Sequence, residues 1–211
     1  MVITYHGGNC IRASAGDTTL VFSPISKDSK NLKPTNFGAD IVFVSNNHPD
    51  MNGFEQVARG DKEPFVVGGA GEYEIGPVFA SGFLTHSRYG GKEITNTVYT
   101  VVFDGITVLY LGALSDTKLP NEIIEDLDAV DVLFVPIGGD GVLSASEAQK
   151  LAVALEAKIV IPIHFGIIGE KDALRSFLKE AGAEDVSPDD KLTIKPKDVA
   201  DKSGEVVVLK S

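Results

Sequence analysis

The chain has 211 residues, a net charge of −11 and a hydrophobic fraction of 43%. That length and a mean hydropathy of +0.08 exclude a disordered chain and leave room for a sizeable core. Thirty acids stand against nineteen bases, and the bases are scattered singly or in pairs, so no basic stripe is available for a nucleic acid backbone or an anionic membrane.

The first half reads as short strands. Val2–Tyr5, Cys10–Ala13 and Thr18–Phe22 are separated by glycine-containing turns and suggest a meander. Ile41–Val44 is continuously apolar, as expected of a strand buried on both faces. A short helix is expected over Phe54–Ala58, followed by strands at Phe65–Val67, Glu72–Ile75 and Val78–Phe83. Val98–Phe103 and Ile106–Leu111 flank Asp104-Gly105, a type I′ hairpin signal. The second half alternates. Pro120 opens a helix over Asn121–Leu127, Val132–Ile137 is a buried strand, and Ser144 with Glu147 forms a capping box. That helix places Ala148, Leu151, Ala152 and Leu155 on one face. Ile159–Ile161 is a strand, Asp172–Ala181 an amphipathic helix ended by Gly182, and Val206–Leu209 a last strand. Strands mostly first and helices mostly later suit two mixed sheets packed face to face with helices outside. A single domain over 1–211 is the simplest reading, since no repeat or linker is evident.

No apolar run approaches the ~18–20 residues of a membrane span, and the first residues carry neither a basic region nor a long apolar stretch. One cysteine, Cys10, excludes an internal disulfide framework and a CxxC zinc site. A cytoplasmic location is expected. Cys10 sits in an apolar strand pattern and is read as a buried inert thiol rather than a nucleophile. Ser87–Lys92, with its two cations and Tyr89, is read as a mobile surface loop rather than an anion site, and Gly138–Gly141 as a strand-to-helix turn.

Three of the four histidines, His48, His86 and His164, follow apolar strands. Strand ends converge on one rim of a sheet, the usual place for a site. Three histidines with Asp50 could supply the ligands of a metal, or they could be ordinary loop residues.

Several segments, in order and over nearly the whole chain, resemble the metallo-β-lactamase superfamily, in its small lactonase-like and uncharacterised hydrolase branch. They are Tyr5-His6-Gly7-Gly8-Asn9-Cys10, Ala39–Ser45, Gly71-Glu72-Tyr73-Glu74-Ile75, Asn96–Tyr99 with Leu111-Gly112, Val130–Leu133, Pro136–Gly139 and Ile161–His164. The resemblance implies a four-layer αββα sandwich. It also implies a dinuclear metal site of five histidines and two aspartates, only part of which survives here. His48, Asp50, His86 and His164 stand at ligand positions, whereas Asn46, Met51 and Ala113 replace two histidines and the bridging aspartate. Gly8 replaces the opening histidine, Ser23 an aspartate, and Ser87 the residue after the third histidine. His6 matches no ligand and is read as structural, and Asp116 as a surface residue rather than a substitute carboxylate.

Each lost ligand removes a coordination bond and a charge, and a metal-bound water needs both to become a nucleophile near neutral pH. Met51 is a soft thioether poorly matched to zinc or manganese. The expectation is therefore a degenerate site in an inactive hydrolase homologue with a binding role. Such a pseudo-enzyme has no cofactor, or one weakly bound divalent ion, Zn or Mn. Expected partners are a small molecule in the old cleft, a second copy, or an active relative. Asp50, freed of metal, would then hydrogen-bond His164 or His48. The alternative is a hydrolase of a small lactone, ester or phosphoester, with one metal on His48, Asp50, His86 and His164 and Asp50 orienting the attacking water.

Overall fold

The computed structural model describes residues 1–127 and 129–211. Two sheets carry the same plan twice. The first opens with an antiparallel meander of β1 (Val2–Tyr5), β2 (Ile11–Ala15) and β3 (Thr18–Phe22). It continues in parallel through β4 (Ile41–Phe43) and β5 (Phe65–Val67). The second opens with antiparallel β6 (Gly71–Ile75), β7 (Val78–Ser87), β8 (Ile94–Phe103) and β9 (Ile106–Tyr110). It continues in parallel through β10 (Val132–Pro136) and β11 (Ile159–Ile163). Two two-residue strands close the far edges. β12 (Leu192–Thr193) lies against β1, and β13 (Glu205–Val206) against β11.

Alternating burial along β1, β2 and β7 and continuous burial along β4, β10 and β11 both follow from which faces are covered. Between the sheets, Phe22 meets Phe43 and Tyr110 at 4.8 Å in both cases, and Phe134 at 6.2 Å. Outside the second sheet, Ala148, Leu151 and Ala152 of α2 (Ala145–Ala154) and Phe177 of α3 (Ala173–Glu180) cover Leu133, Val135 and Val160. The short α1 (Asn121–Asp126) adds Ile123 to that layer. Outside the first sheet the covering layer is a 3₁₀ turn, Phe54–Val57, with Ile25 and Leu32 of a long connection. The expected αββα sandwich is thus present, with its first helical layer reduced. No helix among the described residues is long and apolar enough to cross a membrane.

Local rules hold at the hairpin and at the cap. Asp104 and Gly105 have φ of +54° and +71°, as a type I′ turn requires. The Glu147 amide donates to Ser144 Oγ, and the Ser144 amide to Glu147 Oε2 at 2.9 Å. Three expectations need correction. The strand expected over Val98–Phe103 begins four residues earlier, at Ile94. The strand expected over Val78–Phe83 runs on to Ser87, so His86 lies inside β7 rather than after it. The last strand ends at Val206, and Leu209 makes only an isolated bridge to Asp189. The short α4 (Pro196–Val199) and β12 were not expected at all.

Candidate functional site

The C-terminal ends of β3, β4, β9, β10 and β11 point to one rim of the sandwich. The loops there, with the turn before β2, carry the polar residues singled out in the sequence. Ser23 and His164 both take positive φ, +44° and +60°. Such non-glycine positions are costly and cluster where a site fixes side-chain direction.

His164 is fully buried, and its amide donates to Gly8 O at 2.6 Å. Its Nδ1 lies 2.6 Å from Asn9 Oδ1, while Asn9 Nδ2 donates to Gly112 O at 2.7 Å. The amide of Asn9 is therefore oriented with its oxygen toward the ring, so Nδ1 carries the proton and Nε2 offers a lone pair. That Nε2 is buried without a partner. Burial, reinforced by His48 and opposed by Asp50, holds the imidazole neutral, its pKa lowered to about 3.

Asp50, 1% exposed, accepts from Ser29 Oγ at 2.5 Å and from the Tyr89 hydroxyl at 2.7 Å. Asn31 Nδ2 lies 3.5 Å from the same carboxylate. The Asp50 amide donates to His48 Nδ1 at 3.2 Å, and the carboxylate stands 3.7 Å from that nitrogen. The expected hydrogen bond from the Asp50 carboxylate to His48 or His164 is not made: at 3.7 Å His48 is too far, and the carboxylate bonds go to Ser29 and Tyr89. The Tyr89 ring lies between the two histidines, edge-on to His48 at 4.7 Å and perpendicular to His164 at 4.7 Å. Burial and the Asp50 charge both raise its hydroxyl pKa, so it stays a donor.

His86 is not brought to this cluster. Strand residues alternate between faces, and β7 buries Thr85 and Ser87 while His86 shares the exposed face with Leu84. It lines a separate cavity of about 400 Å³ with Arg88, Asp116 and Lys118. Asp116 is a surface residue whose Oδ1 accepts the Lys118 amide at 2.9 Å, as expected.

The three replaced positions pair among themselves or with the core. Asn46 Nδ2 donates to Met51 Sδ at 3.2 Å, and Asn46 Oδ1 accepts the His48 amide at 3.0 Å. Ala113 is fully buried and its amide donates to Asn96 Oδ1 at 2.9 Å. Ser23 Oγ lies 2.8 Å from Ser45 Oγ. Cys10 is buried, with its thiol pushed up to about 12 by burial. His6 is exposed and packs on Phe37 with ring centroids 4.3 Å apart.

Among the described residues no three His, Cys, Asp or Glu side chains come together as a metal site would require. The Tyr89 ring packs against both His48 and His164, His86 faces away from them, and Met51 and Ala113 offer only a thioether and a methyl group. Sequence reasoning missed Asn9, which orients His164, and took Tyr89 for a loop residue. The only signal for Tyr89 was an aromatic side chain next to two glycines beside His86.

A family profile described as the beta-lactamase superfamily domain matches residues 2–164. A UPF0173 metal-dependent hydrolase of Bacillus velezensis is 27% identical, with 78% of this chain and 85% of the relative covered. YtkL, a UPF0173 metal-dependent hydrolase of Bacillus subtilis, is 26% identical over 78% of this chain and 86% of its own length. A Thermotoga maritima structure assigned to the metallo-β-lactamase superfamily as a Zn-dependent hydrolase superposes with a TM-score of 0.74. It is 27% identical, and the match spans 99% of this chain and 97% of that one. With the two-sheet architecture and the order of the rim segments, these likenesses show that the chain belongs to the beta-lactamase superfamily, with the metallo-β-lactamase fold of its metal-dependent hydrolases.

Proposed function

We propose that this chain is a catalytically inactive member of its hydrolase family that keeps the fold to bind a small molecule. The observation that carries the reading is the failure of the ligand positions to converge. His86 is on the outer face, Asn46 bonds Met51, and Ala113 offers no carboxylate. Activation of water by a divalent ion needs at least three protein ligands with an open position, and no such set is found among the described residues.

The binding role is supported by a cavity of about 710 Å³ beside Asn46, within the size range of small-molecule sites. Its walls combine amide and hydroxyl groups of Asn47, Asn52 and Thr95 with the apolar Phe54, Val66 and Leu84. Glu93 is the one charged side chain among its described walls, so the cavity disfavours an anion and suits a small ligand that carries hydrogen-bond donors and some apolar surface. The test is an activity screen with lactones, esters, phosphoesters and amides, in chelator and in added zinc or manganese, run beside a ligand screen by thermal shift. Binding without turnover is expected. Turnover of any substrate that needs His164 removes the reading.

A second reading is a mononuclear hydrolase, favoured by the unpartnered Nε2 of His164, the atom a metal would take. In that case His48→Ala and His164→Ala each abolish metal content. Unchanged metal content in both variants sinks it.

A further inference from the structure

The geometry points to Tyr89 as a built-in replacement for the metal: its side chain cross-links Asp50, His48 and His164 and keeps ions out. A metal centre ties loops from different strands together through one bound atom, and its binding free energy becomes folding free energy. Tyr89 makes the corresponding ties with one side chain of the protein itself. Its hydroxyl donates to Asp50 Oδ2 at 2.7 Å, and its ring meets both imidazoles at 4.7 Å. Three segments, from the ends of β4, β7 and β11, are joined in this way.

Two further observations make the replacement a settled feature rather than a passing closure. Tyr89 belongs to a buried apolar cluster with Met51, Ala113 and Val142. Two members of that cluster stand where the resemblance puts metal ligands, so the ring packs in one apolar cluster with the residues at those positions. The backbone that carries the ring is also tied down. The Arg88 amide donates to Ser115 Oγ at 2.8 Å, the Tyr89 amide to Ser87 Oγ at 3.1 Å, and the Gly91 amide to Arg88 O at 3.0 Å. Gly141 closes on the same segment. A β-carbon there would lie 2.6 Å from Arg88 O, and φ is +93°. The expectation of a mobile surface loop at Ser87–Lys92 is therefore corrected at Arg88 and Tyr89, which are pinned between the loops after β9 and β10.

The inference rests on the reading of an inactive rim, and the two fail separately. Turnover by metal-free protein removes that reading and leaves Tyr89 in place, whereas zinc bound at His164 in the wild type overturns the inference whatever the hydrolysis screen gives. The experiment is a zinc titration of the full chain and its variants. Metal is read by elemental mass spectrometry after desalting, and stability by thermal unfolding with and without EDTA. The wild type and Tyr89→Phe keep the ring, so both retain no zinc and each melts at the same temperature with and without EDTA, with Tyr89→Phe below the wild type because it loses the bond to Asp50. Tyr89→Ala melts ~5–15 °C lower and takes up about one zinc per chain, which raises its Tm. The double variant Tyr89→Ala/His164→Ala loses that zinc. A folded Tyr89→Ala that melts like the wild type, or that takes up no zinc, overturns the inference. If Tyr89→Ala does not fold, the two ring-bearing proteins decide: zinc that His164→Ala removes overturns it, and its absence from both sustains it.

Discussion

At the scale of single residues, His164 contributes to the acid limb of stability. Burial lowers its pKa to about 3 in the native state, whereas in the unfolded chain it titrates near ~6.5. Between those values the unfolded chain binds a proton that the native chain does not. Stability contributed by the neutral ring is therefore full above ~6.5 and declines as pH falls toward 3, by up to ~1.4 kcal/mol per pH unit. His164→Asn keeps a residue that tolerates the left-handed backbone and removes the titration. The expected outcome is a flatter dependence of unfolding free energy on pH between 6 and 4, measured by urea melts; a slope equal to the wild type's would show that His164 is not the group responsible. Asn9 is the partner that fixes the ring. Asn9→Ala leaves His164 Nδ1 and Gly112 O unpaired in a buried site, at a cost of about 1–3 kcal/mol for a buried unsatisfied group, readable in the same melts.

At the scale of elements, the rim depends on caps and close approaches that the sequence states locally. The Ser144–Glu147 box ends the loop after β10 and starts α2, so Ser144→Ala should cost about 0.5–2 kcal/mol. The loss should appear as faster amide exchange over Ala145–Ala148, and unchanged exchange there would argue that packing alone holds the helix end. The local signals that succeeded share a physical basis. Buried runs such as Val132–Pro136 and Ile159–Ile163 are covered on both faces, and apolarity records that directly. The glycine in Asp104-Gly105 records a required φ. β7 was read too short because Leu84-Thr85-His86-Ser87 is polar on one face and short of apolar residues, yet its pairing with Ile94–Thr97 continues the ladder. β12 and β13, at two residues each, have no periodicity to read. His48, Asp50 and His164 were legible because they follow strands. Tyr89 was not, because its role lies in contacts from three separate segments, and no local pattern encodes them.

At the scale of the whole molecule, the two sheets are held by a small aromatic centre. Phe22 of the first sheet stacks on its neighbour Phe43 and reaches Tyr110 and Phe134 of the second. All four are among the largest fully buried side chains. The same Tyr110 donates its hydroxyl to Asn9 O at 2.8 Å, directly under the residue that orients His164. The packing of the sandwich and the position of the rim are therefore joined at one ring. Phe22→Ala should cost about 3–5 kcal/mol, the range for emptying a large aromatic site in a close-packed core. In a chain of this length that lowers Tm by roughly 6–20 °C. Val153, 65% exposed on α2, is the control, since Val153→Ala should stay within about 0.5 kcal/mol. Thermal and urea unfolding of the two variants beside the wild type measures both. A Phe22→Ala protein as stable as the Val153→Ala one would mean that the sheets do not depend on this aromatic contact and that the outer layers carry the fold.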